Sequence, residues 1–174
     1  MDASYPFGTY TLTATNTGAS TSQSANILYT TDAYTANIPA LTAATFAALQ
    51  GMNPSLPFTF NFNSFTPNPG ASFGSTFLTI FGTSFDTNLP NSATSAVLAA
   101  NTLAPNTTYT FELDFSDRVT GTSNGVPTTL GFDVRTDGTF TTGAAVPEPG
   151  SLTLAAFGIL TLGIGRRLAA RKTS

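Results

Sequence analysis

Apolar and polar residues alternate with a period of two along much of residues 5–142, in short runs broken by Pro, Asn, Gly and Ser clusters. The clearest run is 108–116. Tyr109, Phe111, Leu113 and Phe115 fall on one face, and Thr108, Thr110, Glu112, Asp114 and Ser116 on the other. This pattern predicts a strand with one buried and one wet face. Phe58, Phe60 and Phe62 alternate in the same way with Thr59, Asn61 and Asn63. Phe65 breaks that register, so a strand end or bulge is expected near Ser64. Residues 77–81 are apolar on both faces and suit a central strand, and 96–99, 130–134 and 138–141 are read as further strands. A first strand at 9–15 places Thr9, Thr11, Thr13 and Thr15 on one face and Tyr10, Leu12 and Ala14 on the other.

One stretch has a different period. Leu41, Thr45, Ala48, Leu49 and Met52 lie at near-helical spacing, with Thr42 placed to cap and Gly51 to stop. A two-turn helix over about 43–50 is predicted. Fifteen Phe and five Tyr supply a core without any disulfide. The spacing Leu103-x-Pro105-x-Thr107-x-Tyr109 resembles the tyrosine corner of fibronectin type III and immunoglobulin-like domains. The expected class is therefore all-β: an immunoglobulin-like or fibronectin type III-like antiparallel β-sandwich with one short helix, plus a single C-terminal transmembrane helix.

Composition narrows the chemistry. The 174 residues include no Cys and no His, while we count 33 Thr. Thiolate nucleophiles, His-based general bases and His or Cys zinc sites are excluded. The net charge of −3 offers no footprint for nucleic acid. Paired-carboxylate glycoside hydrolysis is the enzyme class still permitted. Glu112 and Asp114 share a strand face, but as solvated acids on a wet face no raised pKa is expected for them. No residue is assigned a catalytic role, and no metal or cofactor is expected.

The charge is unevenly distributed. Residues 1–150 carry nine acids against Arg118 and Arg135, whereas 151–174 carry only the bases Arg166, Arg167, Arg171 and Lys172. Residues 151–165 are uncharged and apolar on every face, which predicts a short membrane span at about 1.5 Å per residue. The bases behind it act as stop and orientation signals, leaving the tail in the cytoplasm and the preceding domain outside. Upstream, Pro147, Glu148, Pro149 and Gly150 impose an extended, accessible hinge.

Pro147-Glu148-Pro149, a short Leu/Ala/Gly-rich span and Arg166-Arg167 follow one another near the end of the sequence. This order resembles the PEP-CTERM sorting tail, a family also labelled ice-binding protein C-terminal domain. The resemblance covers only the last 30 or so residues. It implies an exported protein of a Gram-negative bacterium, held in the bilayer and recognised at Pro147, Glu148 and Pro149 by an exosortase, a membrane processing enzyme. Release to the cell surface or extracellular matrix, often beside exopolysaccharide, is implied in turn. The family also implies a signal peptide. The sequence opens Met1-Asp2-Ala3-Ser4-Tyr5-Pro6, with no basic n-region and no apolar h-region. A truncated N-terminus, or a degenerate copy that is never exported, is therefore expected.

The expected organisation is a truncated N-terminal strand region at 1–35 and a β-sandwich at 36–143. A linker at 144–150, a transmembrane helix at 151–165 and a basic cytoplasmic tail at 166–174 follow. The expected role is structural or adhesive. Three alternatives stay open. Surface Tyr and Asn suit a glycan. Asp114, Asp117, Asp133 and Asp137 supply hard oxygen ligands for calcium if they converge, although without EF-hand spacing. The threonine face of the first strand offers a flat hydroxyl array of the kind that orders water against ice.

Overall fold

The computed structural model describes residues 6–145. Eight strands and one helix follow in the order β1 (Gly8–Asn16), β2 (Thr21–Tyr29), α1 (Ala43–Leu49), β3 (Phe58–Asn61), β4 (Phe73–Ile80), β5 (Asp86–Pro90), β6 (Ser95–Leu98), β7 (Thr108–Ser123) and β8 (Val126–Thr141). All pairings among the described strands are antiparallel. The main sheet has the order β5-β4-β7-β8, β3 pairs with β6, and β1 with β2.

The period-two pattern decides which face of the main sheet is buried. Leu78 and Ile80 on β4, Phe111, Leu113 and Phe115 on β7, and Phe140 on β8 all point to one side. The β3–β6 ladder covers that side with Phe60, Ala96 and Leu98, and α1 adds Leu49. Burying aromatic rings is the largest favourable contribution available to a chain with so few charges. The covering layer holds two strands and the helix. It falls short of the three- or four-stranded second sheet of an immunoglobulin-like domain.

Several elements follow from local rules. The helix starts where Thr42 accepts a hydrogen bond from the Thr45 N–H at 3.2 Å. It stops before Gly51, whose φ of 75° is one that side chains rarely adopt. β4 lies between β5 and β7, as the apolar faces of 77–81 require. β3 ends at Asn61, and the out-of-register Phe65 stacks on Phe115 with ring centroids 4.8 Å apart.

Three differences from the sequence reading have physical causes. The strands expected at 130–134 and 138–141 are one continuous strand. Gly138 does not break it, because Gly138 lies opposite Phe111, whose ring occupies the space a Cβ would fill. β2 was not anticipated, since its sequence TSQSANILY alternates only near its end and is mostly exposed. β5 carries no strong strand signal either: DTNLP is short and contains a proline, and it forms because β4 offers a free edge.

The β1–β2 hairpin packs against the distal half of β7 and β8 through a second, smaller cluster of Tyr29, Ala33 and Phe132. Tyr29 donates to Asp32, and that bond, with burial behind it, pushes the phenol up to about 12. The expected membrane span at 151–165 lies outside the described residues. Among the described residues no helix is long and apolar enough to cross a membrane.

Candidate functional site

Where the chain leaves the fold toward its C-terminus, the backbone is fixed on both sides. Gly51 donates to the Thr141 carbonyl at 2.8 Å, and Gly143 donates to the Met52 carbonyl at 2.8 Å. From the other side, Asn106 donates to the Gly143 carbonyl at 3.0 Å, and Thr142 donates to the Thr107 carbonyl at 3.0 Å. The Thr142 hydroxyl completes the clamp. It accepts from the Thr107 N–H at 2.9 Å and donates to the Ala104 carbonyl at 2.7 Å. Thr142 is only 2% exposed. A Cβ on Gly143 would come within 2.5 Å of the Gly51 carbonyl oxygen, so the close approach needs glycine there.

The loop on which the clamp closes is itself braced. The Ala104 N–H donates to the Tyr109 hydroxyl at 2.9 Å, the back-bond expected of a tyrosine corner. The Tyr109 ring stacks on Phe140 at 5.8 Å. Asn101 and Asn106 take left-handed φ values of 61° and 50°, a conformation that asparagine tolerates better than most residues. Strand alternation identified Tyr109. Nothing in the sequence pattern pointed to Thr142, because its partners are backbone groups 35 and 38 positions away.

The outer face of the main sheet is acidic. Arg135 pairs with Glu112 at 3.1 Å and reaches Asp137 at 3.9 Å, while Arg118 approaches Asp133 at 3.5 Å. Asp133 also accepts from the Ser116 hydroxyl at 2.5 Å. Asp114 stands between Phe77 and Arg135 in register, and its Oδ1 has no hydrogen-bond partner. Burial, reinforced by the charges of Asp133 and Glu112, pushes its carboxyl up to about 6. The sequence reading expected no such shift. The cause is tertiary, since Asp114 is half-buried between β4 and β8, on a face that also buries Ser116 fully. The cleft lined by Asn26–Leu28 with Val119 and Leu130 does not include Asp114, nor does the one lined by 14–16 and 21–23.

The four aspartates considered for calcium do not converge. Asp117 lies on the opposite side of β7 from Asp114, since it continues the buried series of Phe111, Leu113 and Phe115. It is 0% exposed. Its Oδ2 accepts from the Asn68 N–H at 3.0 Å, its Oδ1 has no partner, and burial raises its pKa. Extending the alternation by one step would have revealed this placement. Among the described residues no group of three or more acidic side chains is arranged to hold a metal ion.

The threonine face of β1 is formed as expected. Thr11 donates to Asn26 at 2.9 Å and Thr13 shares a hydrogen bond with Ser24 at 2.8 Å, both across the hairpin. These hydroxyls are thus engaged with β2.

Pro147, Glu148, Pro149, Arg166, Arg167, Arg171 and Lys172 lie outside the described residues. Residues 145–172, which include all seven, match the family model of the PEP-CTERM protein-sorting motif. The chain thus carries a tail that marks an exported protein for recognition by an exosortase, a membrane processing enzyme of Gram-negative bacteria. Residues 1–144 fall outside this match. Comparison with curated proteins and with solved structures gives no match.

Proposed function

We propose that the chain is a non-catalytic, exported surface protein whose β-domain has a structural or adhesive role. The span at 151–165 holds the precursor in the bilayer, and the bases from Arg166 to Lys172 keep its end in the cytoplasm. The exosortase acts at Pro147-Glu148-Pro149, releasing the domain to the cell surface or matrix. Exopolysaccharide is the partner proposed for it there. The observation that carries this reading is the sorting motif at residues 145–172, which follows directly on the β-domain in sequence. The absence of His and Cys from the sequence favours a role without turnover. Glu112, which is paired with Arg135, favours it as well.

The test replaces Pro147, Glu148 and Pro149 together with alanine in a host that has an exosortase. Full-length protein is expected to accumulate in the membrane fraction. Maturation at the normal rate would overturn the role given to the tripeptide.

A further inference from the structure

Gly143 is the last residue bonded into the clamp, and only three residues separate it from Pro147. Four residue steps, fully extended, reach about 14 Å. A domain of this size has a radius of gyration of about 14 Å, so the tether is shorter than the domain is wide. Whatever grips the tripeptide therefore meets the end of the domain from which the chain emerges.

That end is chemically distinct. It comprises 50–57, 99–107 and 141–145, joined through the clamp and through the Asn101 N–H donating to the Pro54 carbonyl at 2.8 Å. None of these positions carries a charge, although the described residues hold seven carboxylates and two guanidiniums elsewhere. Leu56 is 49% exposed there, and Ala104, Pro105 and Asn106 are exposed as well.

We infer that this uncharged pole is a docking surface for the membrane-embedded processing enzyme. The inference deepens the sorting reading and rests on it. A protein surface fits the pole better than a lipid surface does. Attraction to anionic headgroups calls for Lys or Arg, and the pole presents neither, while the Tyr109 hydroxyl beside it is engaged by the Ala104 N–H. A pole without charge can be covered by a protein partner without the desolvation cost of burying ions.

The test follows conversion of the full-length precursor by pulse–chase in an exosortase-bearing host. Leu56→Asp with Ala104→Asp, and separately Leu56→Lys with Ala104→Lys, are each expected to slow conversion about tenfold, as 1.4 kcal/mol of lost contact would. Val126→Asp with Thr128→Asp, at the far end of β7 and β8, is expected to leave the rate unchanged. A ten-residue Gly/Ser insertion between Ala144 and Ala145 uncouples the pole from the tripeptide, so with it the parent and both pole variants are expected to convert at one common rate, which a folding defect would not permit. Unchanged conversion of the pole variants overturns the inference. Slowing by the Asp pair but not the Lys pair overturns it in favour of an anionic bilayer surface. Normal maturation of the triple-alanine variant overturns the sorting reading, and this inference with it.

Discussion

The Thr107 N–H donates to the side-chain oxygen of Thr142 at 2.9 Å, one residue beyond the end of the last strand. Through this contact the threonine holds the loop before β7 against the exit of β8. The domain is thereby closed where its chain continues into the sorting tail.

Thr142→Val keeps the shape of the side chain but leaves the Thr107 N–H and the Ala104 carbonyl without this partner. Destabilisation of about 1–3 kcal/mol is expected, as for other buried polar groups left unpaired. Thr142→Ser, which keeps the hydroxyl, is expected to recover most of it. Urea unfolding midpoints at constant m-value check both.

Gly143→Ala tests the close approach at the exit. The added methyl would meet the Gly51 carbonyl oxygen at 2.5 Å and its carbon at 3.2 Å. Both are backbone atoms, so relief requires the 50–52 segment to move. A loss of about 1–3 kcal/mol is expected, the usual cost of overpacking. Thermal unfolding measures it.

Tyr109→Phe removes the acceptor of the Ala104 N–H and keeps the ring stacked on Phe140. Because this bond is exposed, water replaces it, and the expected cost is near the low end of about 0.5–1.5 kcal/mol. A loss above that range would show that the corner also orders the loop around Asn106.

Asp114 gives the protein a dependence on pH with a defined sign. Its carboxyl is pushed up to about 6 in the folded state, against about 4 in an unfolded chain. Above pH 6 the folded state holds an unfavourable charge. As pH falls from 6 toward 4 the folded state takes up the proton first, so this residue's contribution to stability increases. Below 4 both states are protonated and the penalty is gone. Asp114→Asn is therefore expected to be more stable than the parent at pH 7, by a margin that closes as pH approaches 4. Parallel unfolding curves at pH 7, 6, 5 and 4 test this. A margin independent of pH would contradict it.

Much of the domain was legible along the chain. The alternation at 108–116 set the faces of β7, and near-helical spacing with Thr42 and Gly51 located α1 within one residue. These features depend on residues close in sequence. The acidic face was legible only in part: Glu112, Asp114 and Ser116 do lie on the side of β7 away from the core, but that side is not wet, since the two acids are half-buried and Ser116 is fully buried. Alternation reports which way a side chain points, not how much of it neighbouring strands cover.

By itself the sequence determined the sorting tail, whose signal is a linear order of Pro147-Glu148-Pro149, an apolar run and a basic end. It also determined the all-β character of the domain, because period-two burial is a local property of the chain. Tertiary structure alone decided that 126–141 forms one strand through Gly138 and that Thr142 locks the exit. Each of these depends on atoms brought together from distant positions, where packing and backbone hydrogen bonding choose the partner and local pattern has no say.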